Sequence, residues 1–222
     1  MAIKIHDISM TVHPDMLFWH EGKKPEMIRV FKIEDGEPSE VTRWVIGSHT
    51  GTHIDAPRHF KSDGKTVEQL DLARYFVGPV RVVDATTPDD RAIDAEMVQR
   101  ANLDGATRVL FKTSNSEKRL SKDEYDFSYV GLTHSGAQAL VDAGVQYVGI
   151  DWVCIEDARQ CEQWPSHHVL LGNEVVILEG IDLSAIADGT YFMCSLPIKL
   201  KGSEAAWART ILIEGMDLSL FA

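Results

Sequence analysis

His49-Thr-Gly-Thr-His53-Ile-Asp55-Ala-Pro-Arg-His59-Phe60 gathers three imidazoles and a carboxylate into twelve positions. Neutral imidazole and carboxylate are ligands that zinc, manganese and iron accept. All four side chains fall on odd numbers, and residues two and four apart on an extended chain project to the same side. A helix would align His49 with His53 but would turn Asp55 away, and Gly51 and Pro57 both disfavour a helix here. The spacing therefore predicts a strand over 41–47 running into an extended loop that aims its ligands into one cavity. A lone histidine is more often a hydrogen-bonded structural residue than a ligand. Four aligned candidates read as a metal site.

Outward from this stretch, the pattern divides the chain into short strands with a helical insert. Residues 27–33 and 40–46 alternate on either side of the turn-forming 34–38, and the first residues of the chain also alternate. Strands are predicted over 78–85, 107–112, 145–150, 174–178, 190–196 and 207–213, and helices over 94–101, capped by Asp94, and 133–143, stopped by Gly144. Residues 114–130 and 154–168 read as polar or irregular. Helix–strand alternation is confined to roughly 90–151, so the expected class is α/β in a mixed arrangement with antiparallel pairs, not a doubly wound parallel fold. The 222 residues are expected to form a single domain, 1–222.

Composition narrows the partners. The chain is 44% hydrophobic and 25% charged with a net charge of -12, which argues against nucleic acid or an anionic membrane surface. There is no charged-then-apolar signal segment and no apolar run long enough to span a bilayer. Cys154, Cys161 and Cys194 are odd in number and lack a paired zinc-type spacing, so they are expected to be reduced thiols in a cytoplasmic protein. Nothing in the local sequence activates Cys154 as a nucleophile.

A second group of candidate ligands lies far along the chain. Ser166-His167-His168 precedes an apolar run that ends in Glu179, a carboxylate placed to point from a sheet edge into a pocket. Taken alone, paired histidines and a strand-end carboxylate are as readily structural or solvent-exposed.

With this group in place, the chain resembles the metal-dependent cyclase-like hydrolases, which include bacterial kynurenine formamidases and isatin hydrolases. The resemblance rests on the 49–60 motif, on Ser-His-His followed by Glu179, and on Leu196-Pro-Ile-Lys-Leu-Lys-Gly202, and it spans nearly the whole chain in order. It implies a mixed β/β/α cyclase-like fold that assembles as a homodimer or larger. It also implies that His49, His53 and Asp55 bind one divalent metal, while Asp55, His167 and Glu179 complete a neighbouring or shared second position. By the same resemblance His59 is the proton-transfer residue and Trp19 lines the substrate pocket. Two stretches depart from the family's formamidase pattern: His20-Glu21-Gly22 after the pocket tryptophan, and Trp152 to Ala158 after Gly149-Ile150-Asp151.

The expected activity is hydrolysis of an amide, an aryl formamide or a cyclic amide, by water activated on zinc or manganese, with one or two ions per chain. A small aromatic amide would lie against Trp19, with Phe18 and Trp164 as further flat walls. Two other readings stand beside it: a cyclase or dehydratase acting on a polyketide-like substrate, and a non-catalytic protein whose metal site is closed by protein ligands.

Overall fold

The protein is described by a computed structural model covering residues 3–20, 22–122 and 124–218, without the side chains of 160–162. Glu21 and the side chain of Cys161 thus lie outside the described residues. Within them the alternating segments pair as β1 (Lys4–Asp7), β2 (Glu26–Phe31), β3 (Val41–Val45), β4 (His53–Asp55), β5 (Val77–Asp84), β6 (Arg108–Lys112), β7 (Tyr147–Ile150), β8 (Val176–Glu179), β9 (Gly189–Pro197) and β10 (Ala205–Glu214). Strands β5 to β8 run parallel, β4 joins β8 antiparallel, and β9 joins β5 antiparallel. Strand β10 pairs with both β9 and β4 and so closes a ring of seven strands. Strand β1 lies along the far end of β10, and β2 and β3 form a separate hairpin. This is the mixed α/β fold expected from the sequence.

Side-chain alternation then sorts the ring into two faces. Ile54, Val80, Val82, Leu110, Tyr147, Val176 and Leu178 fill one core, with Met193 and Leu212 beside them. Val83, Val109, Phe111, Val148, Ile150 and Ile177 turn the other way, beneath helices. Those helices are α2 (Ala95–Arg100), α4 (His134–Asp142) and α5 (Pro165–Gly172); α1 (Leu72–Tyr75) and α3 (Asn115–Lys118) are single turns. Asp94 caps α2 by accepting the Met97 amide at 3.0 Å, Thr133 caps α4, and Gly144 ends α4 at φ +79°. Each fully buried aliphatic on these faces contributes roughly 1.5–3 kcal/mol.

Three local expectations need correction. The stretch 154–168 is not irregular to its end, because α5 begins at Pro165, whose fixed φ suits a first helical position. His167 and His168 are therefore neighbours on a helix. Residues 115–118 likewise form a helical turn inside 114–130. Finally, the loop of the first motif is not extended throughout: residues 48–52 turn, with Gly51 at φ +65°, and 57–59 form a 3-10 turn. Only His53–Asp55 is strand.

A buried cluster of histidines and carboxylates on the outer face of the ring

Because Ile54 faces the barrel core, His53 and Asp55 on either side of it must face outward, toward α5. Register supplies the next group. Glu179 closes β8 directly opposite His53, again on the outward face beside Ile177. The turn that carries His49 is locked to the end of β8, where the Thr52 hydroxyl donates to the Gly180 carbonyl. A Cβ on Gly180, which sits at φ +69°, would collide with the Gly51 carbonyl, so only glycine lets these backbones meet. The 3-10 turn begun by Pro57 swings His59 over His49, with ring centroids 4.3 Å apart. His167 arrives from the first turn of α5 and stacks on Phe60 at 4.9 Å.

Thus six residues singled out from sequence converge. His53 Nε2 is 3.3 Å from Glu179 Oε2 and 3.6 Å from Asp55 Oδ1. His167 Nε2 is 3.4 Å from Glu179 Oε1 and 4.0 Å from Asp55 Oδ2. His49 Nδ1 stands 2.9 Å from Asp55 Oδ1. His53 Nδ1 donates to the Gly51 carbonyl at 2.9 Å, which leaves its Nε2 as a bare acceptor. His53 Nε2 and both Asp55 oxygens are buried without a hydrogen-bond partner. An unpaired buried acceptor costs about 1–3 kcal/mol, more when charged, and three facing one another are mutually repulsive. A divalent cation is the ligand that this donor set fits.

The electrostatics agree. Burial opposes charge on His49, yet Asp55 and Glu179 outweigh it and raise the ring to about 9. Burial likewise opposes charge on His167, but Glu156, Glu179 and Asp55 raise it to about 10. Burial pushes Asp55 upward, and the surrounding imidazoles overcome this and hold it well below the carboxylate range. His59 is lowered by burial, then by His49 and His167, against the pull of Asp55. The cluster favours positive charge at its centre.

One contributor was not singled out as part of the ligand set by the sequence. Glu156, fully buried, accepts His167 Nδ1 at 3.0 Å, the His167 amide at 3.2 Å, and both the amide and hydroxyl of Ser166. It fixes the first turn of α5 and turns His167 Nε2 toward Asp55 and Glu179. A hydrogen-bonded carboxylate behind a ligating imidazole sets its tautomer and its aim. Its position depends on Leu132, whose amide donates to Ile155 and whose carbonyl accepts from Asp157. No spacing rule links those segments. Glu204 was also missed; its Oε1 lies 3.4 Å from His49 Nε2.

Above the cluster opens a cavity of about 400 Å³. Phe18, Trp19, Phe60 and Trp164 wall it, while His49, Asp55, His59, His167 and Glu179 line its floor. Trp19 packs on Trp164 with ring centroids 5.4 Å apart. Trp164 holds φ +48°, a costly conformation for a bulky residue, where it precedes α5 and presents its ring to the cavity.

Comparison with known proteins places this arrangement. The family model described as "Putative cyclase" matches residues 6–157. The chain belongs to the cyclase family. Within that family, "Cyclase-like protein 1" of Arabidopsis thaliana is 34% identical, covering 95% of this chain and 85% of its own. The "Kynurenine formamidase" of Salinibacter ruber is 35% identical, covering 95% and 98% respectively. A solved structure described as a "Potential Metal-Dependent Hydrolase With Cyclase Activity" superimposes with a TM-score of 0.83 at 32% identity, covering 97% of this chain and 100% of that one. The fold of this cyclase-family chain is therefore the one expected from its sequence. The chain is an enzyme of hydrolase type, which sets aside the reading of a non-catalytic metal protein. Among the described residues, no helix is long and apolar enough to cross a membrane.

Proposed function

We infer that this cyclase-family enzyme is a divalent-metal-dependent amidohydrolase that cleaves an aryl formamide to the arylamine and formate. The observation that carries the reading is the convergence of three unpartnered buried acceptors, His53 Nε2 and the two Asp55 oxygens, at the floor of an aromatic-walled cavity. His49, His53, Asp55, His167 and Glu179 would hold the cation, zinc or manganese, as one ion or as two sharing carboxylates. When bound, the ion supplies Lewis acidity toward water and toward the amide carbonyl.

The chain's own residues do the rest. Phe18, Trp19 and Trp164 sandwich the flat ring of the substrate and exclude water from it. His59 lines the same cavity beside His49. It would take a proton from the attacking water and return one to the departing nitrogen. Glu156 holds His167 in one tautomer throughout. The "Kynurenine formamidase" name of the Salinibacter ruber relative supports this substrate class over a polyketide-like one.

A cytoplasmic enzyme is part of the same reading, supported by the odd number of cysteines in the sequence. So is a homo-oligomer, supported by the exposed Met27, Phe31, Val41 and Trp44 of the β2–β3 hairpin. The deciding experiment is turnover of N-formylkynurenine, substituted formanilides and isatin by metal-stripped protein, with and without added zinc or manganese. Metal-restored formanilide or formylkynurenine cleavage is expected. Restoration on isatin alone would move the substrate to cyclic amides, and no cleavage of any would overturn the reading.

A further inference from the structure

Beside the cluster already described stands a donor that the hydrolase reading leaves unused. The segment following Gly149-Ile150-Asp151, one of the two departures from the formamidase pattern, carries Cys154. Its Sγ lies within 4.8 Å of a ligand atom of both His167 and Glu179, and those two lie within the same distance of each other. Cys154 is only 3% exposed and lines the cavity floor. Its neighbour Ile155 donates its amide to Glu179 Oε1 at 2.7 Å, so the segment carrying the thiol is pinned to the carboxylate at the end of β8. Glu179 belongs equally to the triad of His53, Asp55 and Glu179. A second sign of a ligand beside the thiol is the buried Asp55 Oδ2, which has no hydrogen-bond partner and lies 4.0 Å from His167 Nε2.

We propose that Cys154 is a thiolate ligand of a metal position formed with His167 and Glu179, and that this sulfur makes the position selective for zinc over manganese. The proposal rests on the reading that the cluster holds a divalent ion, and adds to it the identity of that ion. A coordinating thiol gives up its proton to solvent as the ion binds. Thiolate favours zinc, whereas manganese prefers oxygen and nitrogen donors. The side chain is otherwise a small buried group packed near Leu17, Trp152 and Val153, which is the role it keeps if the proposal fails.

Cobalt substitution of the full chain tests this without relying on turnover, because cobalt bound to thiolate shows a near-ultraviolet charge-transfer band. The band is expected in the wild type, in Cys194→Ser and in Cys161→Ser, and is expected to vanish in Cys154→Ser. Zinc affinity of Cys154→Ser, measured by competition with a chelator, should fall on the order of 100-fold, while manganese affinity holds. Should Cys154→Ser fold poorly, the wild-type spectrum decides alone. Cobalt uptake without the band, or a band that survives in Cys154→Ser, overturns the thiolate ligand and leaves the hydrolase reading standing. Failure of the wild type to take up any cobalt, zinc or manganese overturns both.

Discussion

Asp55 and Asp151 are both fully buried carboxylates at the ends of strands in one sheet, yet their surroundings are opposite. Asp151 accepts the amides of Thr113 at 2.9 Å and Ser116 at 3.1 Å, and their hydroxyls at 2.6 and 2.7 Å. Burial still raises its carboxyl, but every lone pair has an answer within the chain. Asp55 has no such set: apart from His49 Nδ1, 2.9 Å from one oxygen, its oxygens face His53, His167 and a second carboxylate, Glu179, with no amide or hydroxyl donor. A carboxylate that the chain satisfies is a fastener, here joining β7 to α3. One left bare among imidazoles awaits a cation.

The contrast should separate the two residues by what each loses. Asp55→Asn is expected to abolish tight metal binding and with it turnover, because it removes the charge on which the imidazoles of the cluster converge. Asp151→Asn is expected to keep its metal but to lose about 2–4 kcal/mol of stability, since donors now face donors. Elemental analysis and denaturant unfolding of both variants check this. A full metal complement in Asp55→Asn, or metal loss without destabilisation in Asp151→Asn, would break the comparison.

A smaller effect is expected at His59, which shares the cavity floor but lies outside the Asp55–Glu179 pair. His59→Ala should retain most of its metal and lose on the order of 10²–10⁴-fold in turnover, the usual contribution of a proton-transfer group. Its position within ligand distance of His49 and Asp55 makes metal content the discriminating measurement. If metal leaves with the side chain, His59 is a ligand and the proton carrier lies elsewhere.

How much of this was legible in the chain follows the distance between cooperating residues. His53 and Asp55 could be placed because strand period two is local, and Ile54 between them declares which face is core. His59 was assigned to the right cavity through an extended geometry that the structure replaces with a turn at Pro57. The helix α5 escaped because Trp164 enters it from a left-handed conformation, and its buried Ser166, His167, Leu170 and Leu171 leave no clean amphipathic stripe. Glu156 was legible least of all. Its role depends on the bridge between Leu132 and the 155–157 segment, which glycine at 131 permits by lacking the Cβ that would strike the Glu156 carbonyl.

That hidden carboxylate stands between Asp55 and Asp151, since Glu156 is a satisfied acid whose donor is itself a candidate ligand. Glu156→Gln preserves shape but cannot accept from every donor it now meets. Zinc affinity is expected to drop about 10–100-fold, as for other groups that orient a ligating histidine. Calorimetric titration of the metal-free variant measures it. Unchanged affinity would make Glu156 a fastener of α5 alone, in the class of Asp151.

The smallest effect is expected one residue away from His167. On a helix, consecutive side chains diverge by about 100°, and the structure uses that angle: His167 is buried against Glu156 and Phe60, while His168 is exposed. His168 meets the Phe60 ring in an edge-to-face contact, with centroids 4.9 Å apart. Removing it forfeits that contact and slightly loosens the ring on which His167 stacks. His168→Ala should therefore hold its metal and change turnover by only about 2-fold, within the roughly 0.5 kcal/mol typical of surface substitutions, whereas His167→Ala should lose metal outright. Both variants are to be compared by metal content and initial rate in one preparation. Equal metal loss in the two would mean that α5 presents its other face to Asp55 and Glu179, and the cluster would have to be rebuilt around His168.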